Sequence, residues 1–121
     1  MNRLNQAKQL QDRTKAFAVR IIKTFATLPK DEAMRIIGRQ FLRSGTSSPL
    51  IIEPLFGARS TADFISKISV VAEEADETLF WFELFRDAEL VKINLTEALM
   101  KECQELLKIF SASLATAKLN H

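Results

Sequence analysis

The sequence has 121 residues, of which 47% are hydrophobic and 26% charged, with three Gly, three Pro and a single Cys. This length suits one domain, and the scarcity of turn residues argues against a sheet protein and favours a few long helices. One cysteine excludes an internal disulfide and a multi-cysteine zinc site. No run of about 18 apolar residues is present, and residues 1–15 lack the apolar core of a signal peptide, so we expect a cytoplasmic protein.

The charges are divided unequally between the two halves of the chain. Residues 1–59 carry 11 Lys or Arg against 4 Asp or Glu, a net charge of +7, and residues 60–121 carry 6 against 11, a net charge of −5. A basic half and an acidic half can pair within the fold or between subunits, and a basic half can also expose a surface to nucleic acid. We favour the pairing.

The first predicted helix runs from about Asp12 to Thr27. Its apolar residues recur at spacings of four, four and three, the period of one buried helical face: Phe17, Ile21, Phe25 and Leu28. The helix ends at Leu28, because a residue that precedes proline is disfavoured in helical geometry. Residues 1–11 are polar and form either extra turns of this helix or a frayed arm.

The second helix is predicted to begin near Pro29, with Asp31 and Glu32 in its first turn, where the helix dipole favours acidic side chains. One side of it collects Ala33, Ile36, Ile37, Gln40 and Phe41. Another side carries arginines four residues apart, Arg35, Arg39 and Arg43. Residues 44–49 are small and polar and end in proline, which predicts a kink or a break. The apolar segment 50–56 forms either a further helical turn or an extended link, packed on the bundle.

The third helix is predicted to open at Ser60, which has the N-cap spacing of a capping box with Asp63. It should run to about Arg86 or Asp87, with one face made of Phe64, Ile68, Val71, Ala72, Ala75, Leu79 and Phe82. The fourth should start after Asn94, a good N-cap with Glu97 at N3. Its face is Leu99, Cys103, Leu106, Leu107, Phe110, Leu114 and Ala117. Four amphipathic helices with short links predict an all-α, mostly antiparallel four-helix bundle, with residues 1–121 as a single domain.

The third helix has more apolar surface than one face needs. The side chains left over are Phe80, Trp81, Leu84 and Phe85. A contiguous apolar surface usually marks an interface, and aromatic anchors are typical of interfaces. The residues therefore predict a contact between copies of the chain. The alternative is that the link 88–95 and the segment 50–56 fold over them.

Carboxylates also cluster on the third helix, as Glu73, Glu74, Asp76 and Glu77. Such a cluster could bind a metal or act as acid and base, but the bundle di-iron arrangement also needs Glu-x-x-His motifs, and the only His is His121. We favour a solvated face or ion pairs with Arg35, Arg39 and Arg43. Cys103 has no His to activate it and is expected to be a core thiol. We therefore predict no catalytic site, no cofactor and no metal.

The arginine stripe, with Arg59 nearby in sequence, could contact the phosphates of RNA or DNA. No aromatic residue is interleaved with the stripe, and the spacings of helix-turn-helix and zinc-finger motifs are absent. Nucleic-acid binding by Arg35, Arg39, Arg43 and Arg59 is therefore an alternative to an interaction protein that binds itself and a partner. An enzyme is the least favoured reading.

Two blocks of sequence resemble a known family. One is Arg43–Ser47, followed by Ala58–Ser60 and Asp63–Lys67, and the other is Glu73–Leu84. Together with the spacing between them, over about residues 13–118, they resemble the bacterial four-helix bundle family also called 23S rRNA intervening-sequence proteins.

The resemblance implies an up-and-down four-helix bundle with a kinked second helix, assembled as a ring-like homopentamer. Members are encoded within ribosomal RNA genes or stand alone in bacterial genomes, and most have no established biochemical function. A distant relative, an accessory protein of diversity-generating retroelements, binds nucleic acid and a reverse transcriptase. This chain departs from the family at the kink, where residues 48–54 lack the usual Ala-Asn and contain a second proline.

Overall fold

The computed structural model describes residues 3–49, 52 and 59–120. These residues form four α-helices and no β-strand. The helices are α1 (Arg3–Phe25), α2 (Glu32–Thr46), α3 (Thr61–Asp87) and α4 (Ile93–Leu119). The predicted all-α fold of four helices is confirmed.

Each helix packs against two neighbours, so that the order α1, α2, α3, α4 closes into a ring around one core. Between α1 and α2, Ile21 meets Gly45 and Phe25 meets Gly38, so the contacts run in opposite directions along the two helices. Between α2 and α3, Ser44 meets Thr78 and Phe41 meets Phe82, again in opposite directions. The five-residue link between α3 and α4 returns the chain alongside itself.

The first helix begins earlier than the sequence indicated. Residues 3–11 continue α1 as regular helix, so the extra turns are the correct one of the two alternatives for these residues. On the predicted face, Phe17, Ile21 and Leu28 are buried, and Phe25 packs partly buried against them. On its α4 side, the Arg13 guanidinium donates to Glu102 at 2.6 and 2.8 Å and to Glu105 at 2.6 Å, which ties the two helices together.

The buried face predicted for α2 is correct at Phe41, which is buried, and at Ile37, which packs partly buried against the core, but it is wrong at its other three residues. Ala33, Ile36 and Gln40 are exposed, with Ile36 62% accessible, and the buried row consists of Met34, Gly38, Phe41, Ser44 and Gly45. The helix turns its two glycines toward α1, and at Gly45 only a residue without a side chain fits. A Cβ atom on Gly45 would lie 2.7 Å from Cγ2 of Ile21. The backbones of α1 and α2 therefore approach closely at the glycines, and this rotation of α2 leaves Ile36 exposed.

The start of α3 is capped as predicted. The Ser60 hydroxyl accepts from the backbone N–H of Asp63 at 3.1 Å, and the Asp63 carboxylate accepts from the backbone N–H of Arg59 at 3.1 Å and from Lys67 Nζ at 3.0 Å. The Arg59 N–H, then Lys67, lower the pKa of Asp63 below its ordinary value. These bonds satisfy N–H groups that would otherwise lack partners at a helix start.

The end of α3 is closed by a Schellman turn. The backbone N–H of Leu90 donates to the carbonyl of Phe85 at 2.9 Å, and that of Glu89 donates to Arg86 at 3.1 Å. Glu89 has a φ of 56°, the left-handed conformation that this turn requires and that glycine usually supplies. The turn satisfies carbonyls at the helix end and sends the chain back toward α4.

The fourth helix begins at Ile93 with Lys92 as N-cap, so the prediction of Asn94 as N-cap is wrong by two residues. Lys92 makes no side-chain cap bond. The predicted apolar face is confirmed at Leu99, Cys103, Leu106 and Phe110, all of which are buried.

Residues 44–49, where the sequence predicted a kink or a break, are described: α2 ends at Thr46, and residues 48 and 49 are helical again after Ser47. Of the apolar segment 50–56, only Ile52 lies among the described residues. Ser47 is the C-cap of α2 and keeps right-handed helical dihedrals, with φ −76° and ψ −31°. Ile52 is fully buried in the core, as expected for an apolar residue of this segment. The helices described here include none with the length and apolar character needed to cross a membrane.

Candidate interaction surface

The aromatic run of α3 is divided between the core and the surface. Phe82 and Phe85, three residues apart, face inward and pack edge-to-face on Phe41, with ring centroids 5.1 and 5.2 Å apart and interplanar angles of 83° and 67°. Phe85 is 1% exposed. Its prediction as an interface residue is therefore wrong, because Phe41 of α2 and the core already cover it.

The outward part of the run is an aromatic patch made of Phe80, Trp81 and Leu84. Phe80 is 54% exposed, and Trp81 and Leu84 are partly buried. The rings of Phe80 and Trp81 lie 5.0 Å apart at 65°, an edge-to-face arrangement. Phe80 is more than half accessible, so its own subunit does not cover it. Of the segment 50–56, one of the two alternative covers, only Ile52 lies among the described residues.

Arg43 of α2 holds this patch through two carboxylates of α3. Its Nη1 donates to both oxygens of Glu74 at 3.0 and 3.1 Å, and its Nη2 donates to Glu77. Glu77 in turn accepts from the indole Nε1 of Trp81 at 3.4 Å. Glu74 and then Glu77 raise the pKa of Arg43 above its ordinary value. The predicted pairing of the acidic cluster with the arginine stripe is thus confirmed at Arg43, and the network orients Trp81.

The other predicted arginines have different surroundings. Arg35 is exposed, and its Nη2 lies 3.8 Å from Glu32. Arg39 is exposed and has no ion pair within the described part of the chain. Arg59 precedes the start of α3, whereas Arg43 meets α3 at Glu74 and Glu77, more than three helical turns farther along, so the fold does not bring Arg59 to the stripe. Arg35 and Arg39 remain as neighbours one turn apart on the surface of α2.

Sequence reasoning missed a second apolar feature, on α1. Val19 is 46% exposed and Ile22 is 52% exposed, three residues apart on the outer side of the helix. Exposed lysines, Lys15 and Lys23, lie on the same side. We call these four residues the α1 stripe. The signal was present in the sequence, because Val19 and Ile22 lie outside the single buried face of Phe17, Ile21, Phe25 and Leu28.

The family model for the 23S rRNA-intervening sequence protein matches residues 7–112. The chain belongs to this family. A crystal structure of a protein of unknown function from the S23 ribosomal protein family, from Bacteroides thetaiotaomicron, is similar to it, with 31% sequence identity and a TM-score of 0.79. The alignment covers 87% of this chain and 97% of that one. No curated protein matches the sequence significantly.

This member of the 23S rRNA-intervening sequence protein family buries its only cysteine. Cys103 Sγ lies 3.4 Å from the carbonyl oxygen of Ala75, to which the thiol can donate. Burial, then the negative charges of Asp76 and Glu102, raise the pKa of Cys103 to about 12. The thiolate is therefore a minor species at neutral pH, and the prediction of a core thiol is confirmed.

The acidic residues do not form a metal-binding group within the described ranges, 3–49, 52 and 59–120, where no cluster of three or more His, Cys, Asp or Glu is placed to hold an ion. Glu74 and Glu77 already accept from Arg43, which fixes their carboxylates toward α2. Within the described part of the chain, we therefore consider three surface features of this family member: the aromatic patch, the α1 stripe, and Arg35 and Arg39 of α2.

Proposed function

We propose that this chain is a non-enzymatic interaction protein that assembles with itself through the aromatic patch. The observation that carries the proposal is the exposure of Phe80 beside a Trp81 that is held in place from α2. Five copies is the stoichiometry that the family resemblance implies. In this proposal the protein acts by presenting a binding surface and does not catalyse a reaction.

The patch has the properties of an interface anchor. Trp81 is oriented by Glu77 and Arg43, and its ring supports that of Phe80, so little side-chain freedom remains to be lost on binding. Covering the exposed half of Phe80 contributes about 1 kcal/mol at the area coefficient for apolar burial, and central anchors often contribute more. In a closed assembly this gain recurs at every subunit contact.

Replacement of Phe80 by Gln tests the proposal without changing the charge or the core. The wild type is expected to elute as an assembly of about 68 kDa, five times the 13.7 kDa subunit, in size-exclusion chromatography with light scattering. The Phe80→Gln variant should need roughly fivefold or more higher concentration to assemble, since about 1 kcal/mol per contact is a factor of about five.

Val70→Gln is the matched control, because Val70 is also an exposed apolar residue of α3 but lies outside the aromatic patch. It should keep the wild-type mass. A wild type that runs as a 13.7 kDa monomer at tens of micromolar, or a Phe80→Gln variant with unchanged assembly, contradicts the proposal. Circular dichroism of each variant checks that the fold is intact.

A second candidate function is binding of nucleic acid by the exposed arginines of α2. The observation that favours it is that Arg39 has no acidic partner among the described residues and Arg35 has only a distant one. Arg43 supports this candidate less, since its guanidinium is engaged by Glu74 and Glu77. Phosphate groups would take the place that carboxylates take at Arg43.

A further inference from the structure

The aromatic patch is bordered by carboxylates that have no ion-pair partner among the described residues. Glu73 lies seven residues before Phe80, Asp76 four residues before it, and Glu83 three residues after it. Residues at these spacings share one side of a helix, so all three carboxylates lie on the side of α3 that carries Phe80. None of them takes part in an ion pair in the described part of the chain. Together with Phe80 they form an acidic stripe, an exposed ring surrounded by negative charge.

The α1 stripe is the same arrangement with the opposite charge. Two exposed aliphatic side chains, Val19 and Ile22, lie beside Lys15 and Lys23. Neither lysine has an ion pair among the residues described. An aliphatic pair with basic flanks and an aromatic ring with acidic flanks are complementary in both apolar character and charge.

The two stripes cannot meet within one subunit. Helices α1 and α3 each pack against α2 and α4, and of the four described helices these two do not pack against each other. They occupy diagonal corners of the bundle, so their outer sides face away from each other. Complementary surfaces on opposite sides of a molecule make a head-to-tail contact, which closes into a ring or extends as a chain.

We infer that the partner of the acidic stripe is the α1 stripe of a second copy of this chain. Phe80 of one subunit packs against Val19 and Ile22 of the next, and the lysines of α1 pair with the carboxylates of α3. A symmetric contact of two acidic stripes would instead oppose like charges. The inference rests on the proposed function and adds which surface receives the aromatic patch.

Charge exchange between the two stripes tests this geometry. The variant K15E/K23E and the variant E73K/E83K should each fail to assemble at concentrations where the wild type is fully assembled. Their equimolar mixture should associate again, because a contact between unlike variants places a basic stripe against an acidic one. A ring of five cannot alternate throughout, so the mixture should form complexes with equal numbers of the two variants and not the wild-type mass. The quadruple variant K15E/K23E/E73K/E83K should assemble on its own. Light scattering gives the mass in all four cases.

The matched control is K101E/K108E, which makes the same change of charge on exposed residues of α4. It should assemble as the wild type does. Assembly that survives K15E/K23E, or a mixture that stays monomeric, overturns the head-to-tail contact while leaving self-association intact. A monomeric wild type instead overturns the proposed function itself, so the two failures are distinguishable.

Discussion

Gly45 determines how closely α1 and α2 approach each other. A Cβ atom there would lie 2.7 to 2.9 Å from three side-chain carbons of Ile21, which is fully buried and β-branched. A stiff side chain in a packed core cannot move aside without displacing its neighbours. At Gly38 the nearest atoms, from Phe25 and Leu28, lie at 3.3 and 3.4 Å and belong to the ends of their side chains.

We predict opposite effects for alanine at these two glycines. Gly45→Ala should lower the free energy of unfolding by about 1–2 kcal/mol. Three contacts under 3.0 Å put the overpacking cost in the upper part of its range, about 2–3 kcal/mol, and helix propensity returns about 1 kcal/mol. Gly38→Ala should raise it by up to about 1 kcal/mol through propensity. Urea unfolding at one protein concentration measures both. Equal stability of Gly45→Ala and the wild type would show that the two helices can separate freely.

For the helices, the sequence predicted which segments are helical better than it predicted which face of each helix is buried. The apolar residues of α3 and α4 repeat with a helical period over seven turns, and their buried faces agree with the structure at Ile68, Val71, Leu99 and Phe110. The face of α2 was wrong at Ala33, Ile36 and Gln40 because apolar periodicity counts large side chains. Gly38, Ser44 and Gly45 are buried for being small, which only the neighbouring helix determines.

The interface residues show the same limit of sequence reasoning. Phe80 was predicted correctly to lie outside the core, but Phe85, five residues on, is buried against Phe41. Five helical positions place two side chains about 140° apart, so a run of aromatics must divide between two sides. Which members face inward depends on how α3 is rotated against α2, and the sequence does not state that rotation.

The turn between α3 and α4 holds a residue in an unfavourable conformation. Glu89, at the C′ position, has a φ of 56°, which costs a non-glycine residue about 1 kcal/mol. We predict that Glu89→Gly raises the free energy of unfolding by up to about 1 kcal/mol, since glycine adopts this conformation without a Cβ clash. Thermal unfolding followed by circular dichroism measures the change.

Ala88→Gly is the control at the adjacent position, where φ is −86° and alanine is already comfortable. It should be neutral or destabilising, because glycine there only adds freedom to the unfolded chain. If Glu89→Gly destabilises the protein as much as Ala88→Gly does, the strain assigned to Glu89 is absent.

Over the whole molecule, opposite charges are divided between the two halves of the bundle. Residues 1–59 carry 11 basic and 4 acidic side chains, a net charge of +7. Residues 60–121 carry 6 basic and 11 acidic side chains, a net charge of −5. Part of the charge of each half is neutralised by two clusters of ion pairs between helices. One joins Arg13 to Glu102 and Glu105, and the other joins Arg43 to Glu74 and Glu77. The charges that remain on the surface are those available to a neighbouring copy or to nucleic acid.

If the protein binds single-stranded RNA, this distribution of charge predicts that Arg35 and Arg39 contact phosphates and that Arg43 does not. Each phosphate contact contributes about 0.7 to the slope of log affinity against log salt concentration, so R35E/R39E should lower that slope by about 1.4 and weaken low-salt binding strongly. Arg43→Gln should leave the slope unchanged, because Glu74 and Glu77 already occupy its guanidinium. Fluorescence anisotropy with a labelled oligonucleotide at several salt concentrations measures the slope and the affinity at low salt.

Two outcomes would contradict the assignment of Arg35 and Arg39 as the nucleic-acid site. One is a wild type that shows no binding at low salt, and the other is an Arg43→Gln variant whose slope falls as much as that of R35E/R39E.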